Sequence, residues 1–150
     1  MQRKKRILIV DDDKAILDVI KDILELQGYI VETAETGQEA LQKTEEKYYN
    51  LALLDIKLPD MEGTKLLRRI HEDVPRMMKI MITGYASLEN AVESLNSGAD
   101  AYLMKPIEAE KLLKVVEDKL NEQAEAESMS QEKVTEWIKS RIRKIESSRN

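Results

Sequence analysis

Five short, largely apolar runs punctuate the chain at residues 7–10, 29–34, 51–54, 79–82 and 101–104, and between them hydrophobic side chains return every three or four positions. The first run, Ile7, Leu8, Ile9 and Val10, is apolar throughout and partly β-branched, which suits a strand buried on both faces of a parallel sheet. The period then changes. Ile16, Ile20, Ile23 and Leu24 share one helical face, and Gly28 stands where a left-handed residue would end that helix. Thr36, Gly37, Gln38 and Glu39 have the form of a capping box and predict a helix running to about Lys47. Pro59, Asp60 and Gly63 mark a loop, and Leu66, Leu67 and Ile70 a short helix that ends before Pro75. Leu88, Ala91, Val92 and Leu95 form the expected inward stripe of a fourth helix stopped by Gly98, and Leu112, Val115, Val116 and Leu120 that of a fifth. Strands alternating with helices of this length imply right-handed crossovers, hence an α/β fold with a doubly wound parallel sheet of five strands. In such sheets ligands bind beyond the carboxyl ends of the strands.

The same pattern separates a body, residues 1–120, from a tail, residues 121–150. Residues 121–130 are polar and either prolong the fifth helix or form a linker, with a new cap available at Ser128. Beyond it Val134, Trp137, Ile138, Ile142 and Ile145 trace an amphipathic stripe flanked by Lys139, Arg141, Arg143 and Lys144. A lone helix cannot bury such a stripe, so the tail is expected to dock, on a second copy or on a partner protein in preference to its own body. A single helix is too short for a helix-turn-helix, and the net charge of −5 points the same way, against direct DNA binding.

At 150 residues and 42% hydrophobic, the chain supports one full core. Cysteine is absent, which excludes disulfides and thiolate metal sites. The leader Arg3, Lys4, Lys5 and Arg6 precedes only four apolar residues, fewer than the roughly seven of a signal-peptide core. No apolar stretch approaches the roughly 20 residues of a membrane span, so the expected location is the cytoplasm. The basic leader reads as a solubilising guard beside a hydrophobic edge strand.

The chemistry gathers at the ends of the strands. Asp11, Asp12 and Asp13 follow the first run, Asp55 the third, Thr83 the fourth, and Lys105 and Pro106 the fifth. Carboxylates concentrated at one sheet edge raise one another's pKa unless a cation compensates, and a hard cation such as Mg²⁺ with oxygen ligands would do so. Asp11, Asp12, Asp55 and the backbone carbonyl near Lys57 are the expected ligands. An aspartate accepts a phosphoryl group only if the phosphate charge is neutralised and its oxygen is held in line. Lys105 supplies a second positive charge and Thr83 a hydroxyl for phosphoryl oxygens, while Gly84 keeps the approach clear.

Taken together, Ile9 to Asp13, Leu54 to Gly63, Ile82 to Tyr85 and Gly98 to Pro106 resemble the receiver domain of two-component response regulators over about residues 5 to 120. The resemblance implies a flavodoxin-like fold, Asp55 as phosphoacceptor, Asp11 and Asp12 as the metal site, and Thr83 with Lys105 as the phosphoryl clamp. It further implies Tyr102 as an aromatic that turns inward on phosphorylation, and a cis peptide before Pro106. The expected donor is a histidine kinase. The expected output is an altered surface of the fourth helix, fifth strand and fifth helix for a protein partner or homodimer. Such a domain is a phosphoacceptor and not an enzyme, catalysing only its own phosphorylation and slow dephosphorylation. Lys57 and Tyr85 lie where the family varies.

The alternative from another class is a Mg²⁺-dependent phosphatase of the haloacid dehalogenase type. Its signature fails at Ala15, and it gives Asp55 no role. Taken singly, Asp13 reads as a helix cap, His71 as a surface residue without partner, and Met77, Met78, Met81, Tyr48 and Tyr49 as packing.

Overall fold

The computed structural model describes residues 3–84 and 87–148; Tyr85 lies outside the described residues. Strands and helices alternate as β1 (Arg6–Val10), α1 (Lys14–Leu26), β2 (Ile30–Ala34), α2 (Gly37–Glu46), β3 (Leu51–Asp55), α3 (Gly63–Asp73), β4 (Met78–Thr83), α4 (Leu88–Asn96), β5 (Ala101–Met104) and α5 (Ala109–Ser148). The five strands form one parallel sheet in the order β2-β1-β3-β4-β5. The order reverses between β1 and β3, whose registers place Val10 opposite Leu54. Asp11 and Asp55 therefore leave the sheet side by side, at the position where such folds bind ligands.

Alternation along the strands divides the core into two layers. Ile7, Ile9, Leu51, Leu53, Ile80 and Ile82 face α1 and the start of α5 through Leu17, Ile20, Leu24, Leu112 and Val116. Leu8, Val10, Ala52, Leu54 and Met81 face α2 and α3 through Ala40, Leu41, Leu66, Leu67 and Ile70. Both faces are covered, which is why the strands read as continuous apolar runs. The caps form as the sequence predicts. Thr36 Oγ1 accepts from the Glu39 amide at 3.1 Å, and Glu39 reaches back to the amide of Glu35 at 3.1 Å. Gly28 and Gly98 take φ of 92° and 110°, the left-handed region, and close α1 and α4.

Two details depart from the sequence reading, and one alternative is settled. The α4 stripe faces outward: Leu88, Val92 and Leu95 are exposed and the helix buries only Ser94, because its short, polar turns meet the sheet through their small residues. Of the two readings open for the polar segment 121–130, the structure takes the first: the segment is helical throughout and prolongs α5 past Ser128 without a new cap. His71 is exposed but partnered, its Nδ1 lying 3.0 Å from Lys79 Nζ and its ring against Gly98. Met77 and Met81 are buried, and Tyr49 is fully buried whereas Tyr48 is exposed. Burial, aided by the charge of Glu32, pushes the Tyr49 phenol up to about 12.

The chain forms two compact units, one ending at Leu120 and one beginning at Asn121. In the second unit Val134, Trp137, Ile138, Ile142 and Ile145 are all exposed, and the Arg141 guanidinium stands 5.4 Å from the centre of the Trp137 ring. Among the described residues no helix is long and apolar enough to cross a membrane.

Among the described residues Lys79 is the one charged residue in the set of largest fully buried side chains. Its ammonium has only His71 and, at 3.4 Å, the Pro75 carbonyl within hydrogen-bonding range among the described residues. Burial lowers its pKa against the opposing pull of Asp100. A lysine whose folded pKa lies below its unfolded value subtracts stability at every pH below the folded value, and the penalty lifts as pH rises towards the unfolded one. Lys79→Met is thus expected to stabilise the protein near neutral pH by about 1 kcal/mol, a rise of about 3 °C in Tm. A lower Tm in a thermal melt would show that the bonds to His71 and Pro75 outweigh desolvation.

Candidate functional site

Each site residue stands at the carboxyl end of a strand because the strand's apolar run ends there. Asp11 follows β1, and Asp55 closes β3 with only 8% of its surface exposed. Thr83 closes β4 and is fully buried, and Lys105 follows β5. The amide of Lys105 donates to the Thr83 carbonyl at 2.8 Å, tying the last two strand ends together. Asp13 caps α1 through the amides of Ala15 and Ile16, and its own amide holds Asp11 Oδ1 at 2.9 Å. This fixes the orientation of the Asp11 carboxylate.

One carboxylate oxygen from each of Asp11, Asp12 and Asp55 lies within 4.8 Å of the others. Lys105 Nζ donates to Asp11 Oδ2 at 2.8 Å and stands 3.5 Å from Asp55 Oδ2, so the ammonium rests mainly on Asp11. Burial, and next the charge of Asp11, raise the Asp55 carboxyl above the ordinary range, against Lys105 and the Lys57 amide, which lower it. Burial would depress Lys105, but its bond to Asp11 and the charges of both aspartates prevail and hold it raised. One ammonium among three carboxylates leaves the edge short of positive charge. A donor set of hard oxygens, partly buried and electrostatically unsatisfied, fits a divalent cation of the Mg²⁺ type.

The loop from Lys57 to Glu62 turns back on itself through a bridge between these two residues. Gly63 then passes so close that a Cβ there would lie 2.0 Å from the Asp55 carbonyl oxygen. In the sequence Asp60 and Gly63 are legible only as loop markers. Their long-range roles, Asp60 at the start of α2 and Gly63 against Asp55, depend on α2 and β3 lying beside this loop, for which the local sequence carries no signal. At Gly84 a Cβ would meet, among the described residues, only Lys105 Cδ, at an ordinary contact distance of 3.9 Å. Tyr102 is half-buried against the second core layer, and its hydroxyl is buried without a hydrogen-bond partner among the described residues. The Lys105–Pro106 peptide is cis.

Comparison with known proteins accords with this arrangement. Residues 7–117 match the response regulator receiver domain family. The transcriptional regulatory protein ZraR of Klebsiella oxytoca is 40% identical over 106 residues, covering 71% of this chain and 24% of that protein. The transcriptional regulatory protein TrcR of Mycobacterium tuberculosis is 38% identical over 108 residues, covering 72% of this chain and 42% of its own length. Among solved structures, a CheY-like receiver domain protein from Methanospirillum hungatei superposes with a TM-score of 0.81 at 60% identity, covering 83% of this chain and 99% of that one. The chain spans less than half the length of these curated relatives. Their names as transcriptional regulators stand mildly against the expectation that direct DNA binding is remote, although the matched region is only 24% and 42% of their length.

Proposed function

The chain belongs to the response regulator receiver family, and on that premise we propose that Asp55 accepts a phosphoryl group from a histidine kinase in a Mg²⁺-dependent reaction. The observation that carries this reading is the meeting of Asp11, Asp12 and Asp55 within 4.8 Å beside the Lys105 ammonium. Asp11, Asp12, Asp55 and the Lys57 carbonyl are the groups that would hold the cation, which supplies charge neutralisation for the phosphoryl oxygens. Asp55 is the nucleophile, and its buried carboxyl is poised beside the strand ends that contribute the other groups. Lys105, now bridging Asp11 and Asp55, can shift one bond to a phosphoryl oxygen. Thr83 supplies a hydroxyl to another. The haloacid dehalogenase alternative gains no support from the family match.

Removing one ligand tests the metal site. Asp12 is exposed, so Asp12→Ala is expected to leave the fold intact and to weaken Mg²⁺ binding by at least about tenfold, the scale at which even outer-shell partners of a metal act. Equal Mg²⁺ affinities of variant and parent in a titration followed by amide NMR would refute the assignment.

The phosphorylated chain signals by changing the surface it offers to a protein partner. Tyr102 supports this, since a buried hydroxyl without a partner among the described residues is costly and favours a move that satisfies it. Exposed Leu88, Val92, Leu95 and Met104 lie on the same elements, α4 and β5. The tail stripe at Val134, Trp137, Ile138, Ile142 and Ile145 docks on a second copy or on the partner. Adding beryllofluoride, a phosphoryl mimic, to the full chain is expected to shift amides along α4, β5 and α5 and to alter sedimentation or Trp137 fluorescence. Shifts confined to the surroundings of Asp55, with unchanged sedimentation and fluorescence, would contradict both parts.

A further inference from the structure

Asp60 sits five residues past the phosphoacceptor, in the loop that carries the Lys57 carbonyl, yet its partners belong to another element. Its Oδ1 accepts from the Gly37 amide at 2.8 Å and its Oδ2 from the Gln38 amide at 2.9 Å. These are the first two amides of α2, which have no partner within their own helix. The helix's own cap, Thr36, serves the Glu39 amide instead. Asp60 therefore completes the capping of α2 from a distance. In return the positive end of α2 takes up the whole carboxylate. Those two amide bonds hold the carboxyl below the ordinary range even though it is solvent-exposed.

Within the loop two backbone bonds close the turn. Leu58 donates to the Met61 carbonyl at 3.3 Å, a long bond, and Gly63 to the Ile56 carbonyl at 2.5 Å. The residue next to Asp60 makes a second contact with the same helix end. Met61 packs onto Gly37 so closely that a Cβ there would lie 2.5 Å from its Sδ. The loop is thus pinned to α2 by a bidentate carboxylate and a thioether in a glycine cradle, and to β3 by Gly63. We propose that Asp60 is a positioning residue that fixes the Lys57 carbonyl for the divalent cation by anchoring the 57–62 loop to the start of α2. A carbonyl ligand has no rotamer to adjust, so only the loop's backbone can place it. The proposal rests on the reading of the acid cluster as a Mg²⁺ site.

The alternative is that Asp60 only stabilises α2, and a second cap on the same helix separates the two cases. Thr36→Ala removes the other cap without touching the loop. Both Thr36→Ala and Asp60→Ala are expected to lower Tm. Only Asp60→Ala should weaken Mg²⁺ binding, by about tenfold, in titrations of the full chain with MgCl₂ followed by amide NMR well below the melting range. Asp60→Asn, which keeps one acceptor oxygen, should fall between parent and Asp60→Ala. Equal Mg²⁺ affinity in Asp60→Ala and the parent, or an equal loss in Thr36→Ala, would overturn the positioning role and leave the acid cluster's reading untouched. A parent chain that bound no Mg²⁺ would instead remove the acid-cluster reading and the inference with it.

Discussion

Asp55→Asn is expected to form no acid-labile phosphoryl adduct with acetyl phosphate and Mg²⁺, and the parent chain is expected to form one, as read by intact mass. Asn keeps the size and one acceptor oxygen but lacks the anionic nucleophile, so the loss is complete and not partial. The same substitution carries a second, opposite signature. Burial and the charge of Asp11 raise the folded pKa of Asp55, so the folded chain binds that proton more tightly than the unfolded one. Stability from this group is therefore gained as pH falls through the folded pKa and is complete below the unfolded value near 4. At neutral pH without metal the ionised carboxylate is a burden on the fold, and Asp55→Asn should melt higher than the parent. An undiminished adduct would remove Asp55 as acceptor. A lower Tm with the adduct lost would show that the Asp55 contacts to Lys105 and the Lys57 amide outweigh its desolvation and its repulsion by Asp11.

Gly63→Ala is expected to destabilise the protein by about 3 kcal/mol, at the upper end for overpacking by a single methyl. The added Cβ would lie 2.0 Å from the Asp55 carbonyl oxygen, 2.8 Å from Ile56 Cα and 2.9 Å from the Asp55 carbonyl carbon. All three are backbone atoms, so no side-chain rotation relieves the clash, and α3 or the end of β3 must move. Either displacement shifts Asp55, so on the proposed reading the folded fraction of the variant should also phosphorylate more slowly. Urea denaturation measures the first effect. A change under about 0.5 kcal/mol, the range of ordinary surface substitutions, would mean that the turn at Gly63 yields freely.

Sequence periodicity was enough for the five strands, the capping box at Thr36, the left-handed stops at Gly28 and Gly98, and the acidic, hydroxyl and ammonium groups at the strand ends. Those features are local, and each follows from chain geometry or from the two-sided burial of a parallel strand. The α4 stripe misled because helical spacing reports that a face is apolar, not that the fold covers it. Leu88, Val92 and Leu95 have the period of a core helix and lie in solvent. The polar run at 121–130 left a helix and a linker both open, and the helix forms, since a helix without a core of its own can still continue.

What the sequence determined by itself is the inventory: which residues end strands, which cap helices, and which carry charge that must be neutralised. Only the tertiary structure decided how they pair. The β2-β1-β3-β4-β5 order brings Asp11 beside Asp55, sets Lys105 on Asp11 at 2.8 Å and 3.5 Å from Asp55, and lays Asp60 on α2. It also buries Lys79 under His71, giving the lone histidine a partner that the sequence had withheld. The physical reason is separation along the chain. Lys105 and Asp11 are 94 positions apart, Asp60 and Gly37 23. Contacts at that distance are set by sheet order and crossover handedness, which local spacing constrains but does not specify.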